Sequence, residues 1–125
     1  MKLRIHGDSL RLRLSRSEVA RLRQNAQVED SIDFGNRKLI YILHVVTTAP
    51  RISAVYDNDC IRIEAPRAAV EQFADTDQVS LEAEQPLASG RSLQILVEKD
   101  FKCIHKAEGE DADAYPNPLA SQAAE

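Results

Sequence analysis

A chain that carries one pattern twice must fold into two like halves, and this sequence does so at an offset of 51 residues. Sliding residues 6–28 onto 57–79 needs no gap. It superimposes the identities Asp8/Asp59, Arg11/Arg62, Arg16/Arg67, Val19/Val70, Gln27/Gln78 and Val28/Val79. Apolar character also matches at Leu10/Ile61, Leu12/Ile63, Leu14/Ala65 and Leu22/Phe73. An offset of 54 then aligns Arg37/Arg91, Leu39/Leu93 and Tyr41/Ile95, which implies three extra residues in the second half, within 85–90. Self-similarity at a fixed period marks a repeated supersecondary unit.

The unit reads as strand, strand, helix, strand, strand. Leu3 and Ile5 alternate with Lys2, Arg4 and His6, Gly7-Asp8 signals a turn, and Leu10, Leu12 and Leu14 alternate with Arg11 and Arg13. Alternation of this kind buries one face of a hairpin and leaves the other basic. Ser15 with Glu18 forms a capping box, followed at helical spacing by Val19, Leu22 and Ala26. Strands are predicted at 28–34 and 39–46, around Gly35-Asn36. The second half repeats the order: strands at 52–56 and 61–65 around 57–59, Pro66 opening a helix with Val70 and Phe73 inward, and strands from 79 and from 92 to 102. The 39–46 segment is apolar on both faces, as a central strand or one covered by a partner would be.

The expected fold is therefore α+β: two ββαββ pseudo-repeats, about 1–46 and 52–102, forming a curved sheet or barrel-like core with two helices. The predicted core takes in the inward aliphatics of every strand, Ile5, Ile32 and Val79 among them. Residues 1–105 read as a single domain with internal duplication, a size that can bury one core. Residues 106–125 read as an acidic C-terminal tail without periodicity, with Tyr115 and Leu119 as candidate anchors.

No apolar run approaches the ~18–20 residues that span a bilayer, the N-terminus lacks the apolar core of a signal peptide, and two widely spaced cysteines suit a reducing compartment. A cytoplasmic location and no membrane contact are expected. The strings MKLRIHGDSLRLRLSRSEV, TDQV, LVEKDFKC and DAYPNP resemble a family of small bacterial proteins, a domain of unknown function. The resemblance covers nearly the whole chain. It implies a bacterial origin and a stand-alone domain, with the Lys-Asp-Phe-x-Cys and Tyr-Pro-Asn-Pro strings part of the family's pattern, and it brings no catalytic residue with it.

Charge is unevenly placed. The net charge is −4, yet residues 1–23 carry +5 and residues 107–125 carry −5. Lys2, Arg4, Arg11 and Arg13 share one face of the first hairpin, either as a solvated sheet face or as an anion-binding surface. Overall acidity and only six aromatics argue against nucleic acid. The acidic tail is itself a candidate for that surface.

Phosphate-loop, dinucleotide, zinc-protease, nucleophile-elbow and C-x-x-C strings are absent. No cofactor is predicted. The alternative is a divalent metal held by some of His6, His44, Glu98, Cys103 and His105, since His44 falls on Glu98 at the 54-residue offset and Cys103 and His105 form a C-x-H pair. The leading reading is a non-enzymatic binding or accessory protein, a homo-oligomer or the partner of another protein through its apolar strand surface. A metal-dependent enzyme or cofactor accessory and an anion-binding module are the alternatives.

Overall fold

The computed structural model describes residues 1–101. Along them run β1 (Lys2–His6), β2 (Ser9–Leu14), α1 (Arg16–Asn25), β3 (Gln27–Asp33), β4 (Lys38–Val46), β5 (Ser53–Asp57), β6 (Cys60–Pro66), α2 (Arg67–Asp75), β7 (Ser80–Pro86) and β8 (Ser92–Lys99). The fold is α+β. Its strands form two separate four-stranded sheets, not one curved sheet or a barrel. Sheet A has the order β1-β2-β8-β7 and sheet B the order β3-β4-β6-β5. The physical reason lies in the helices. After β2 the chain enters α1 and re-emerges in the other layer at β3, and α2 returns it from β6 to β7, so neither sheet runs on to close. Period-2 alternation marks a strand's buried face but not its neighbour.

Each sheet joins one hairpin from each half of the chain. The hairpins are antiparallel, and the seams between them, β2 with β8 and β4 with β6, are parallel. In the seams Leu10 pairs with Ile95 and Ile61 pairs with Tyr41. One pair becomes the other when β2 is advanced by 51 and β4 by 54. The same offsets relate two turn-bracing ion pairs, Arg91 Nη2–Asp8 Oδ2 and Arg37 Nη2–Asp59 Oδ1, both at 2.5 Å. They also relate two backbone bonds, Gln94 N–H to the Asp8 carbonyl and Ile40 N–H to the Asp59 carbonyl, both at 2.9 Å. The identities Asp8/Asp59 and Arg37/Arg91 thus brace neighbouring turns. The 57–59 turn holds Asn58 and Asp59 at φ 50° and 61°, the primed geometry that follows strand twist, and Gly7 at φ 55° serves the first hairpin.

One core lies between the sheets. Leu12, Leu14 and Val97 meet Leu43, Ile63 and Ala65, while Leu22 of α1 and Phe73 of α2 fill the space between them. Burial falls along every inner strand toward the four hairpin turns. Leu14 and Leu12 are buried and Leu10 half-buried; Val97 and Ile95 are buried and Leu93 half-buried; Leu43 is buried and Leu39 half-buried. Three expected core positions are exposed for related reasons. Ile5 (59%) and Ile32 (49%) lie near the turns, beyond the reach of the helices. Val79 (54%) precedes β7, because Leu81 pairs with Val97 as Val28 pairs with Leu43. The ladder thus relates Val28 to Leu81, an offset of 53, and not to Val79. The segment 39–46 is the expected central strand, with Leu43 and Val45 inward and Ile40, Ile42 and Val46 half-buried on the outer face of sheet B.

Candidate functional site

The end of the molecule that carries the hairpin turns is apolar where it meets solvent. Tyr56 (68%), Phe34 (63%), Ile5, Val55 and Ile32 account for five of the seven large hydrophobic side chains that stand exposed among the described residues. Between the sheets at this end an open cleft of about 450 Å³ is lined by Ile5, Leu10, Leu39, Tyr56, Ile61 and Leu93, with Asp8 and Ser9 on its rim. The six apolar residues form three pairs at the sequence offsets already described: Ile5/Tyr56, Leu10/Ile61 and Leu39/Leu93. The rim carboxylate of Asp8 is engaged by Arg91, and Ser9 Oγ donates to the His6 carbonyl at 2.6 Å. Polar groups there brace turns, and the cleft offers a partner chiefly apolar area.

The basic residues named from sequence lie together on the outer face of sheet A. Arg4 lies directly opposite Arg11, and Lys2 opposite Arg13. Glu98 on β8 serves both Arg13 (Nη2–Oε1 2.8 Å) and Arg11 (Nε–Oε1 3.6 Å), and Asp100 pairs with Lys2 (3.1 Å). The metal candidates are dispersed. His6 and Glu98 lie on the outer face of sheet A, whereas His44 lies on the outer face of sheet B beside Glu64 and Gln27. No group of three or more His, Cys, Asp or Glu side chains suited to a metal occurs among the described residues. Cys103, His105, Tyr115 and Leu119 lie outside the described residues.

Perturbed carboxylates gather at the opposite end, around the Met1 ammonium. Glu18 and Asp30 (3.3 Å) both pair with it, and Tyr41 Oη donates to the Met1 carbonyl at 3.0 Å. Burial pushes the Glu18 carboxyl up, but the hydrogen bond and charge of the ammonium and the Ser15 N–H outweigh it, and the net shift is down. The Asp30 carboxyl is lowered by the Ser31 N–H and then by the ammonium. Burial raises Tyr41, as do the charges of Asp30 and Glu18. The cluster joins the residue before β1 to α1, β3 and β4. A groove of about 910 Å³ between α1, the end of α2 and the end of β8 is lined by Leu14, Val19 and Ala20 among others. It adjoins Phe101, from which residues 102–125 continue.

Sequence reasoning placed Ile5, Leu10 and Ile61 in a closed core and did not single out Tyr56. The available signal was the pairing of apolar residues beside the turns at both offsets. No helix among the described residues is long and apolar enough to cross a membrane. Residues 1–119 match a family described as "Family of unknown function (DUF7009)". No curated protein and no solved structure matches the chain.

Proposed function

The chain belongs to this family of unknown function (DUF7009), and we propose that it is a non-enzymatic binding protein whose hairpin end holds an apolar protein surface, in the first instance a second copy of the chain. The observation that carries the reading is the cleft with Ile5 and Tyr56 standing open beside it. Exposed aliphatic and aromatic side chains gathered at one end, rather than scattered, mark an interaction surface. We also read the chain as a duplicated ββαββ unit with approximate twofold symmetry. The seam registers, the paired ion bridges and the paired cleft residues all support this reading. A near-symmetric apolar surface suits the isologous contact of a twofold dimer.

Sedimentation velocity over a range of concentrations tests the proposal. The full chain is expected to dimerise, and Tyr56→Glu or Ile5→Asp to dissociate it into a monomer that still unfolds cooperatively, because both side chains are exposed in the single chain. A chain that stays monomeric at tens of micromolar, or a dimer indifferent to both substitutions, would sink the reading.

A further inference from the structure

The outer face of sheet A is divided by charge. Lys2, Arg4, Arg11 and Arg13 occupy the β1–β2 half, while Glu82 and Glu84 occupy β7 on the far side of β8. The basic half sets like charges directly across from one another, Arg4 against Arg11 and Lys2 against Arg13, an arrangement that disfavours the folded hairpin unless an anion screens it. Glu98 and Asp100 supply two negative charges against four positive ones, and among the described residues Arg4 has no ion pair. Two shallow concavities, about 170 and 150 Å³, lie on this half. One is lined by Arg4, His6, Ser9 and Arg11, the other by Lys2, Arg4, Arg11 and Arg13.

We propose that the acidic stretch 108–113 of the same chain docks on this basic half. Glu108, Glu110, Asp111 and Asp113 bring four carboxylates to four cations. The chain is directed there by its own ladder: Asp100 N–H donates to the Leu14 carbonyl at 2.8 Å, and Asp100 Oδ2 already holds Lys2 Nζ at 3.1 Å. Residue 108 is eight residues beyond that point, a reach of up to about 26–29 Å, whereas Lys2 and Arg4 stand only about 7 Å apart along β1. The family match extends to residue 119 and so takes in the acidic stretch. Glu82 and Glu84 repel an acidic segment and confine it to the β1–β2 half. This contact lies on a different face from the hairpin-end cleft and stands or falls independently of it.

The test is paramagnetic broadening in the full chain. A nitroxide is attached through Ala112→Cys in a Cys60→Ser, Cys103→Ser background. Docking is expected to erase the amide signals of Arg4, Arg11 and Arg13 at low salt. They should return near 1 M salt, where screening acts within about 3 Å, and in a variant carrying Glu108→Gln, Glu110→Gln, Asp111→Asn and Asp113→Asn. Without any label, the same four substitutions in the natural chain should shift the Arg4 and Arg11 amides. Unbroadened amides on β1–β2, or broadening that survives the four neutralisations, overturns the proposal. So does broadening carried from labelled chains to unlabelled isotope-enriched ones, which would place the contact between molecules.

Discussion

The two helices occupy matching places in the two halves and are held in different ways. α1 is tied at its ends. Ser15 Oγ accepts from the Glu18 N–H at 3.3 Å, Glu18 Oε1 accepts from the Ser15 N–H at 2.8 Å, and Glu18 Oε2 pairs with the Met1 ammonium. Its last turn closes through Ala26 at φ 64°, whose N–H reaches the Leu22 carbonyl at 3.0 Å. α2 lacks the reciprocal N-terminal cap and the left-handed close. Its N-cap is Pro66, with no side-chain cap, Ala69 stands where α1 has Glu18, and Thr76 leaves in an extended conformation. α2 instead puts Phe73, the largest of the fully buried side chains, where α1 puts Leu22. The difference teaches that a short helix can be secured by its ends or by its buried stripe, since tertiary packing supplies most of the stability of helices this short.

The largest expected effects break that packing. Phe73→Ala should cost about 3–5 kcal/mol and Leu22→Ala about 2–5 kcal/mol, read from urea unfolding with an unchanged denaturant slope. The exchange Leu22→Phe with Phe73→Leu sharpens the comparison. If the two positions are equivalent, the pair should cost under about 1.5 kcal/mol because volume is conserved. A loss as large as the alanine sum would show that the two halves shape the core differently.

Next come the ends of α1. Glu18→Ala removes the reciprocal cap and leaves the ammonium with Asp30 alone, so a loss of about 1–3 kcal/mol is expected. The Glu18 carboxyl is held below its ordinary value in the folded chain. Its contribution is therefore complete above that ordinary value, 4.5, and disappears as pH falls through the lower folded value. The fall in stability on acidification from pH 7 should be smaller in Glu18→Ala than in the natural chain. Ala69 offers no titrating partner in α2, so the difference should be confined to the first half. Equal acid sensitivity of both chains would remove Glu18 from the account.

These contrasts explain which features could be read from sequence. The capping box was legible because Ser15 and Glu18 act within one turn, and so were the element order and the basic array, which depend on local alternation. The division into two sheets was not legible, because alternation in Leu10, Leu12 and Leu14 is satisfied by any strand beside it. Val79 misled because its identity with Val28 outweighed a register that only the ladder reveals, in which Leu81 and not Val79 lies opposite Val97. Ile5 and Tyr56 have the hydrophobicity of core residues, and only the position of the helices leaves them exposed.

A smaller effect tests how the sheet edges are joined. Gln85 on β7 grips β5 across the gap between the sheets: its Oε1 accepts from the Ala54 N–H at 2.7 Å, and its Nε2 donates to the Ala54 carbonyl at 3.0 Å. The edge pair β1 and β3 is joined by the Met1 ammonium and Asp30 instead. Gln85→Ala should cost about 1–2 kcal/mol, two ordinary hydrogen bonds at a half-buried edge. Amide exchange should quicken at Ala54 and not along β1. Unchanged exchange at Ala54 would mean that the amide bridge adds nothing to the edge.

The smallest effect returns to the helix ends and has opposite signs in the two halves. Ala26 holds a left-handed conformation that costs an L-residue about 1–2 kcal/mol and costs glycine nothing. Part of that gain is offset, because glycine is freer in the unfolded chain and the half-buried Ala26 methyl packs against the core. Ala26→Gly should therefore stabilise by about 0.5–1 kcal/mol. At Thr76 the backbone is extended, the hydroxyl donates to the Gln72 carbonyl at 2.5 Å, and it accepts from the Gln78 N–H at 3.2 Å. Thr76→Gly relieves no strain and removes both bonds, so it should destabilise by a similar amount. Thermal unfolding of the two single variants reads both signs. A loss in both would mean that the Ala26 methyl matters more to the core than its strained backbone does.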